Sequence, residues 1–168
     1  MRRPVHGEPM AAADYFRASP DVLKTLRFHH FLNWVEWGEM LCAESPMLCS
    51  SFFRATPGVL PFLAPYEIGA WAKLGKSLHK GTWRSASLAS SFFEISPRLV
   101  SCLGMDEMEQ LVQFLDKLSV YSYEVASECL SISGEVLRHV ERRDRRRFLQ
   151  MAPLLAEANW NEARECLA

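Results

Sequence analysis

The chain predicts an all-α fold of stacked helical repeats, an α-solenoid, and three observations lead there. One segment recurs: AADYFRASPDVLKTL, CSSFFRATPGVLPFL, ASSFFEISPRLVSCL and ASECLSISGEVLRHV are versions of one another. A second segment follows each of them at the same spacing. Strand-type alternation is absent, and apolar residues fall instead at helical intervals. A unit of under about 40 residues buries its apolar face only against its neighbours, so the repeat itself dictates a stacked architecture.

The register can be counted. Ser19, Thr56, Ser96 and Ser133 share a column at intervals of 37, 40 and 37 residues, and the next column holds Pro20, Pro57, Pro97 and then Gly134. An earlier column of the same segment holds Phe16, Phe53, Phe93 and Leu130. In the second segment, Trp34, Trp37, Gly38 and Leu41 recur as Trp71, Leu74, Gly75 and Leu78, as Leu111, Phe114, Leu115 and Leu118, and as Phe148, Met151, Ala152 and Leu155. The longer third interval places its extra residues in the connection around His79 to Leu88, where Gly81 supplies a turn signal.

Each unit therefore predicts two helices. The second carries its apolar stripe at i, i+3, i+4 and i+7, with Glu36, Glu39, Lys73, Lys76, Gln113, Asp116 and Lys117 turned mostly to water. In the first helix the Ser/Thr-Pro pair lies inside the apolar pattern. Either a Ser/Thr cap restarts the helix at proline, or proline kinks one longer helix. Gly38 and Gly75 stand mid-helix, where glycine costs about 0.5–1 kcal/mol relative to alanine, and their recurrence predicts a close approach of two helices.

On this register residues 1–11 are a disordered lead-in and the repeats span 12–45, 49–82, 89–121 and 126–157. The first helix of a fifth unit occupies 158–168, where Ala163, Cys166 and Leu167 match Ala126, Cys129 and Leu130. A solenoid closes with an atypical polar cap. The break inside a unit raises the expectation that these residues belong to the amino-terminal part of a longer protein, with a capping role for the final helix as the alternative.

A first helix broken by proline, a straight second helix and this period resemble HEAT-type repeats, which implies a right-handed HEAT/armadillo-like solenoid. A full break at the proline gives the three-helix armadillo variant. The tetratricopeptide unit is shorter and carries its proline near the end of its second helix.

Composition is compatible with this reading. Hydrophobic residues make up 49% and charged residues 23% of 168, enough for a continuous core in one domain. No run of 18 apolar residues predicts a membrane span, and MRRPVHGEPM has no apolar stretch behind its arginines to make a secretory signal. Cys42, Cys49, Cys102, Cys129 and Cys166 show no CxxC spacing, and the last two share a column with Tyr15, Phe52 and Phe92. They read as core substitutes in a reducing compartment, which places the chain in the cytoplasm.

The residues predict no catalytic centre, cofactor or metal. His29 and His30 are adjacent and expected on different helix faces, and His6, His79 and His139 are isolated, so no metal-ligand spacing arises. Asp106, Glu107 and Glu109 open a helix, where negative charge suits the amino-terminal dipole. Phosphate-cradling glycine loops, GxSxG and dinucleotide fingerprints are absent. One basic cluster stands out: Arg138, Arg142, Arg143, Arg145, Arg146 and Arg147, interrupted by Glu141 and Asp144, on a chain of formal net charge −1. It reads first as a solvated turn, then as a contact for an acidic protein, and last as a nucleic-acid site.

Units of the form FFRATPGVLPFLAPYEIGAWAKLG resemble the helical repeats that precede the von Willebrand factor A domain in bacterial proteins acting beside MoxR-type AAA+ ATPases, among them the nitric oxide reductase activation protein and its Rubisco-activase relatives. The resemblance rests on FF-x-x-[ST]-P followed by W-x-x-[WL]-G and spans nearly the whole chain. It implies an adaptor that docks the ATPase or its client, with metal-dependent contacts in the A domain. No Asp-x-Ser-x-Ser metal motif occurs here.

The leading expectation is thus a non-catalytic protein-interaction scaffold whose second helices line a concave groove, with Glu36, Glu39, Lys73, Lys76, Gln113 and Lys117 meeting the partner. Nucleic-acid binding through the arginine turn at 138–147 is the alternative, and an enzymatic groove ranks last.

Overall fold

The computed structural model describes residues 8–158, and all regular structure among them is helical. Eight α-helices follow in order: α1 (Glu8–Thr25), α2 (Phe28–Glu44), α3 (Pro46–Val59), α4 (Ile68–Ser77), α5 (Trp83–Val100), α6 (Met105–Tyr121), α7 (Tyr123–His139) and α8 (Arg142–Ala158). A 3-10 turn at Pro65–Glu67 leads into α4. The first helices α1, α3, α5 and α7 pack side by side in one layer, and α2, α4, α6 and α8 form a second layer against it. This two-layer stack of helical pairs follows the sequence register. The segment 158–168, expected to open a fifth unit, lies outside the described residues apart from Ala158 at the end of α8.

Several boundaries differ from expectation: the connection expected around His79 to Leu88 is confined to 78–82, because α5 already begins at Trp83. Helix α1 begins at Glu8, so the last four residues of the expected lead-in are helical, and Ala11 is buried against the stack. Each proline lies inside a continuous helix: Pro20 in α1, Pro57 in α3 and Pro97 in α5. The preceding hydroxyl does not cap a new helix. It donates backwards, from Ser19 to the Tyr15 carbonyl, Thr56 to Phe52 and Ser96 to Phe92, each at 2.7 Å. Back-bonding of this kind bends a helix without ending it.

Connections are set by local chemistry. Gly81 adopts φ +78, a left-handed conformation that side chains disfavour, as the turn signal there requires. Thr82 then caps α5 by accepting from the Ser85 amide at 3.2 Å, and Ser85 returns a contact to the Thr82 amide. At α6 the Glu107 carboxylate accepts from the Gly104 amide at 2.9 Å, which accounts for acidic residues at that helix start.

The core consists of repeated inter-unit junctions. Tyr15 of α1 stacks on Trp34 of α2 at 5.4 Å, and Phe53 of α3 closes on Trp34 edge-on at 5.0 Å. One unit later Phe52 stacks on Trp71 at 5.2 Å, and Phe93 closes edge-on at 5.2 Å. The indole N–H of Trp34 donates to Thr56 Oγ1 at 3.0 Å and that of Trp71 to Ser96 Oγ at 2.9 Å. The hydroxyl of the Ser/Thr column therefore accepts from one unit while donating within its own. Gly38 and Gly75 lie directly beneath the rings of Phe53 and Phe93, so the recurrent glycines are the floors on which these rings sit.

A polar seam runs between the first helices. Asp14 of α1 is 5% exposed, accepts from Ser50 of α3, and pairs with Arg54 at 3.3 Å and Arg17 at 3.1 Å. Arg54 reaches on to Glu94 of α5 at 3.4 Å, while Ser51 and Ser90 share a hydrogen bond at 2.7 Å. Burial on its own would raise the Asp14 carboxyl. The Ser50 hydrogen bond, the Arg54 charge and the hydrogen bonds from both arginines outweigh it, so Asp14 titrates below the usual carboxylate range. With its folded value depressed, Asp14 stabilises the fold above its unfolded pKa, and that contribution disappears as pH falls through the folded value. Stability measured by urea unfolding is therefore expected to fall on acidification below about pH 4, and Asp14→Asn should flatten this part of the profile. An identical acid limb in wild type and variant would show that other carboxylates cause it.

Candidate functional site

The charged residues expected to meet a partner come from one helix layer. Glu36 of α2, Lys73 of α4 and Gln113 of α6 occupy one column of the repeat, and all three are exposed, as are Glu39 and Lys117. The stripe beneath explains this: Trp34, Trp71 and Leu111 are buried two residues earlier, and the helical turn carries their neighbours outward. The result is a row of acid, base and amide spaced one unit apart. The helices of this layer touch one another less than the first helices do, so the row lies along the more open layer. These side chains stand on the solvent side of that layer.

Lys76 differs from the other members of the set. Its ammonium pairs with Glu44 of α2 at 2.9 Å, and the hydrogen bond and charge of Lys76 hold the Glu44 carboxyl below its ordinary range. Together with Lys80 to Asp116 at 3.1 Å, it forms an ion pair between successive units. Lys73 stands over the Trp37 ring at 5.5 Å, a cation–π contact that orients its charge on the row. Trp37 also packs against Gly69 of α4, where an added Cβ would come within 2.8 Å of the indole nitrogen.

The arginine cluster is divided in role. Arg145 is part of the fold: its Nε donates to the carbonyls of Leu137 at 2.9 Å and Val140 at 3.0 Å, and Nη1 donates to the Cys102 carbonyl in the turn that follows α5. It thereby satisfies carbonyls that the end of α7 leaves open. Arg143 pairs with Glu141 at 2.9 Å and Asp144 at 3.5 Å. Arg142 and Arg146 border a cleft shared with Glu67, Asp106 and Glu107, which dilutes their charge. Arg138 and Arg147 are exposed. Of the six, Arg145 is taken up by backbone carbonyls and Arg143 by carboxylates. Arg142, Arg143 and Arg145, in the first turn of α8, also oppose the helix dipole, a cost that Glu141 and Asp144 offset, whereas Arg138 suits the end of α7.

Two further expectations resolve locally. The rings of His29 and His30 touch, with centroids 3.9 Å apart, so they do not occupy separate faces: neighbouring side chains at a helix start can lean together. Loss of hydration, with the charges of His29 and Arg27, holds His30 below its ordinary value. Burial raises the thiols of Cys49, Cys102 and Cys129, and Cys49 donates to the Gly38 carbonyl at 3.3 Å. These thiols stay protonated, which suits packing and not nucleophilic attack. Cys166 lies outside the described residues.

Among the described residues no cluster of three or more metal-ligating side chains occurs, and no helix is long and apolar enough to cross a membrane. Comparison of the chain with protein-family models, curated proteins and solved structures returns no match.

Proposed function

We propose that this chain is a non-catalytic protein-interaction scaffold, a right-handed HEAT-like stack acting in the cytoplasm as the adaptor that links an AAA+ ATPase to its client. The observation that carries the reading is the exposed row of Glu36, Lys73 and Gln113, flanked by Glu39 and Lys117. Stacked units hold these side chains at fixed intervals, so a partner meets an ordered row and little ordering entropy is lost on docking. Nucleic-acid binding through residues 138–147 is the weaker reading, because Arg145 is engaged within the fold and Arg143 by carboxylates.

The test reverses the row: Glu36→Lys, Glu39→Lys and Lys73→Glu together, with a MoxR-type AAA+ ATPase as bait in a pull-down. Capture should fall by more than about tenfold, the usual consequence of placing like charges across an interface. Circular dichroism should be unchanged, since all three residues are exposed. Undiminished capture removes the row from the function, and no capture by the wild-type chain removes the ATPase as its partner.

A further inference from the structure

We propose that the chain associates head to tail with a second copy of itself, the α1 face of one copy seating on the α7–α8 face of the next and repeating the junction that joins its own units. Three columns build that junction inside the molecule. The first two junctions use Tyr15, Trp34 and Phe53, then Phe52, Trp71 and Phe93. At the third, the same columns hold Phe92, Leu111 and Leu130, which are all at most 2% exposed.

The fourth junction has two members without the third. Cys129 and Phe148 line an apolar groove with Ile132 and Val136, and the ring or leucine that would close it is not supplied by any described residue. Column by column, the exposures mark the change. Ala18 and Ala55 are at most 6% exposed whereas Ile132 is 51%; Val22, Val59 and Leu99 are 0% whereas Val136 is 39%; Trp34, Trp71 and Leu111 are at most 2% whereas Phe148 is 46%. The earlier residues are buried because a following first helix covers them.

At the other end of the stack the complementary part stands exposed. Phe16 occupies the column of Phe53 and Phe93 and is 72% exposed, and Leu23 of α1 and Phe28 and Leu32 of α2 are exposed as well. The residue facing this column is Gly38 or Gly75 in the aromatic junctions, and Ala152, again small, stands in that position for the fourth. Charge obeys the same register. Arg54 pairs with Asp14 of the preceding unit; the corresponding positions across the contact between copies are Arg17 and Glu128, of opposite sign and both exposed. The competing occupant is the chain's own last ten residues, in which Leu167 stands in the Phe16 column but Ala168 stands in the Arg17 column. In these two columns a second copy places an aromatic ring and a cation to face Glu128, where that segment has a leucine and an alanine, its Trp160 and Arg164 falling in other columns. Such an interface is heterologous, so the assembly grows beyond a dimer unless it closes into a ring.

Sedimentation velocity of the full chain over a wide concentration range tests this. The wild-type mass should rise past that of a dimer. Phe16→Glu and Ile132→Glu, both at exposed positions, should each weaken self-association by more than about tenfold. Mixed in equal amounts they should give a one-to-one complex and nothing larger, because each variant keeps one intact end. Arg17→Glu should weaken assembly, and adding Glu128→Arg to the same chain should restore it. A dimer lost with Phe16→Glu but kept with Ile132→Glu would join two α1 faces and overturn the proposal. A wild-type chain that stays monomeric overturns it too; if removing residues 159–168 then brings on assembly, the groove belongs to the chain's own end. Reversal of the Glu36 row should leave self-association intact, which separates this test from that of the docking row.

Discussion

Gly75→Val is expected to destabilise the chain by about 3 kcal/mol, at the upper end of what overpacked cores show. A Cβ at Gly75 would meet three carbons of the Phe93 ring within 2.7 Å. The ring has little room to move away: Phe93 is fully buried and held edge-on by Phe52 at 5.6 Å and Trp71 at 5.2 Å. Helix propensity acts in the opposite direction only weakly, since any residue with a side chain gains some tenths of a kcal/mol over glycine mid-helix. Urea unfolding should show a lowered midpoint for this variant. Gly104→Ala provides the control, because nothing lies within 4 Å of the added carbon and φ there is −78; its change should stay within about 0.5 kcal/mol. In the double variant Gly75→Val/Phe93→Ala the collision is gone, so its stability should lie within about 1 kcal/mol of Phe93→Ala alone. Additive losses would mean that the ring and the glycine are not in contact.

That junction also shows what a sequence of this kind reveals and what it conceals. The columns were legible because stacking places equal demands on each unit: an aromatic or leucine at 16, 53, 93 and 130, a small residue at 38 and 75, a hydroxyl ahead of each proline. The partnership between columns was not. Trp34 and Thr56 are 22 residues apart and Trp71 and Ser96 are 25, and only the docking of one unit on the next brings each indole to its hydroxyl. The available signal was that this column of the second helix holds tryptophan in the first two units alone. The third unit puts Leu111 there, and the Ser133 hydroxyl donates to the Leu130 carbonyl with no indole facing it among the described residues.

Charged positions were harder to assign, for a related reason. Exposure follows from helical period, so Glu36, Lys73 and Gln113 were readable as outward-facing. Whether a charge is taken up by a neighbour depends on which unit it meets. Lys76 finds Glu44, and Arg145 finds carbonyls from α7 and α5, although in sequence both look like ordinary surface cations. The Asp14 seam was missed because a lone aspartate among alanines resembles a solvated helix residue. Its partners, the buried Ser50 and the exposed Arg54, arrive from the next unit.

Trp71→Ala carries the other large expected effect, in cooperativity as well as in free energy. Trp71 is fully buried, and truncating such a side chain costs about 3–5 kcal/mol through lost burial and the cavity left behind. Ser96 keeps its bond to the Phe92 carbonyl at 2.7 Å, so little of the loss comes from an orphaned hydroxyl. Trp71→Phe should accordingly recover most of the stability while still lacking the indole donor, at a residual cost of about 1 kcal/mol. Position in the stack decides the form of the unfolding curve. A linear array is held by nearest-neighbour junctions, and Trp71 sits at the second, where α3 and α4 meet α5. Weakening it leaves the units on either side with fewer shared constraints, so Trp71→Ala should lower the denaturant m-value as well as the midpoint. Hydrogen exchange should accelerate more in α4 and α5 than in α1. A variant that shifts the midpoint at constant m, with exchange raised evenly through all helices, would mean that the array unfolds as one block and that no single junction divides it.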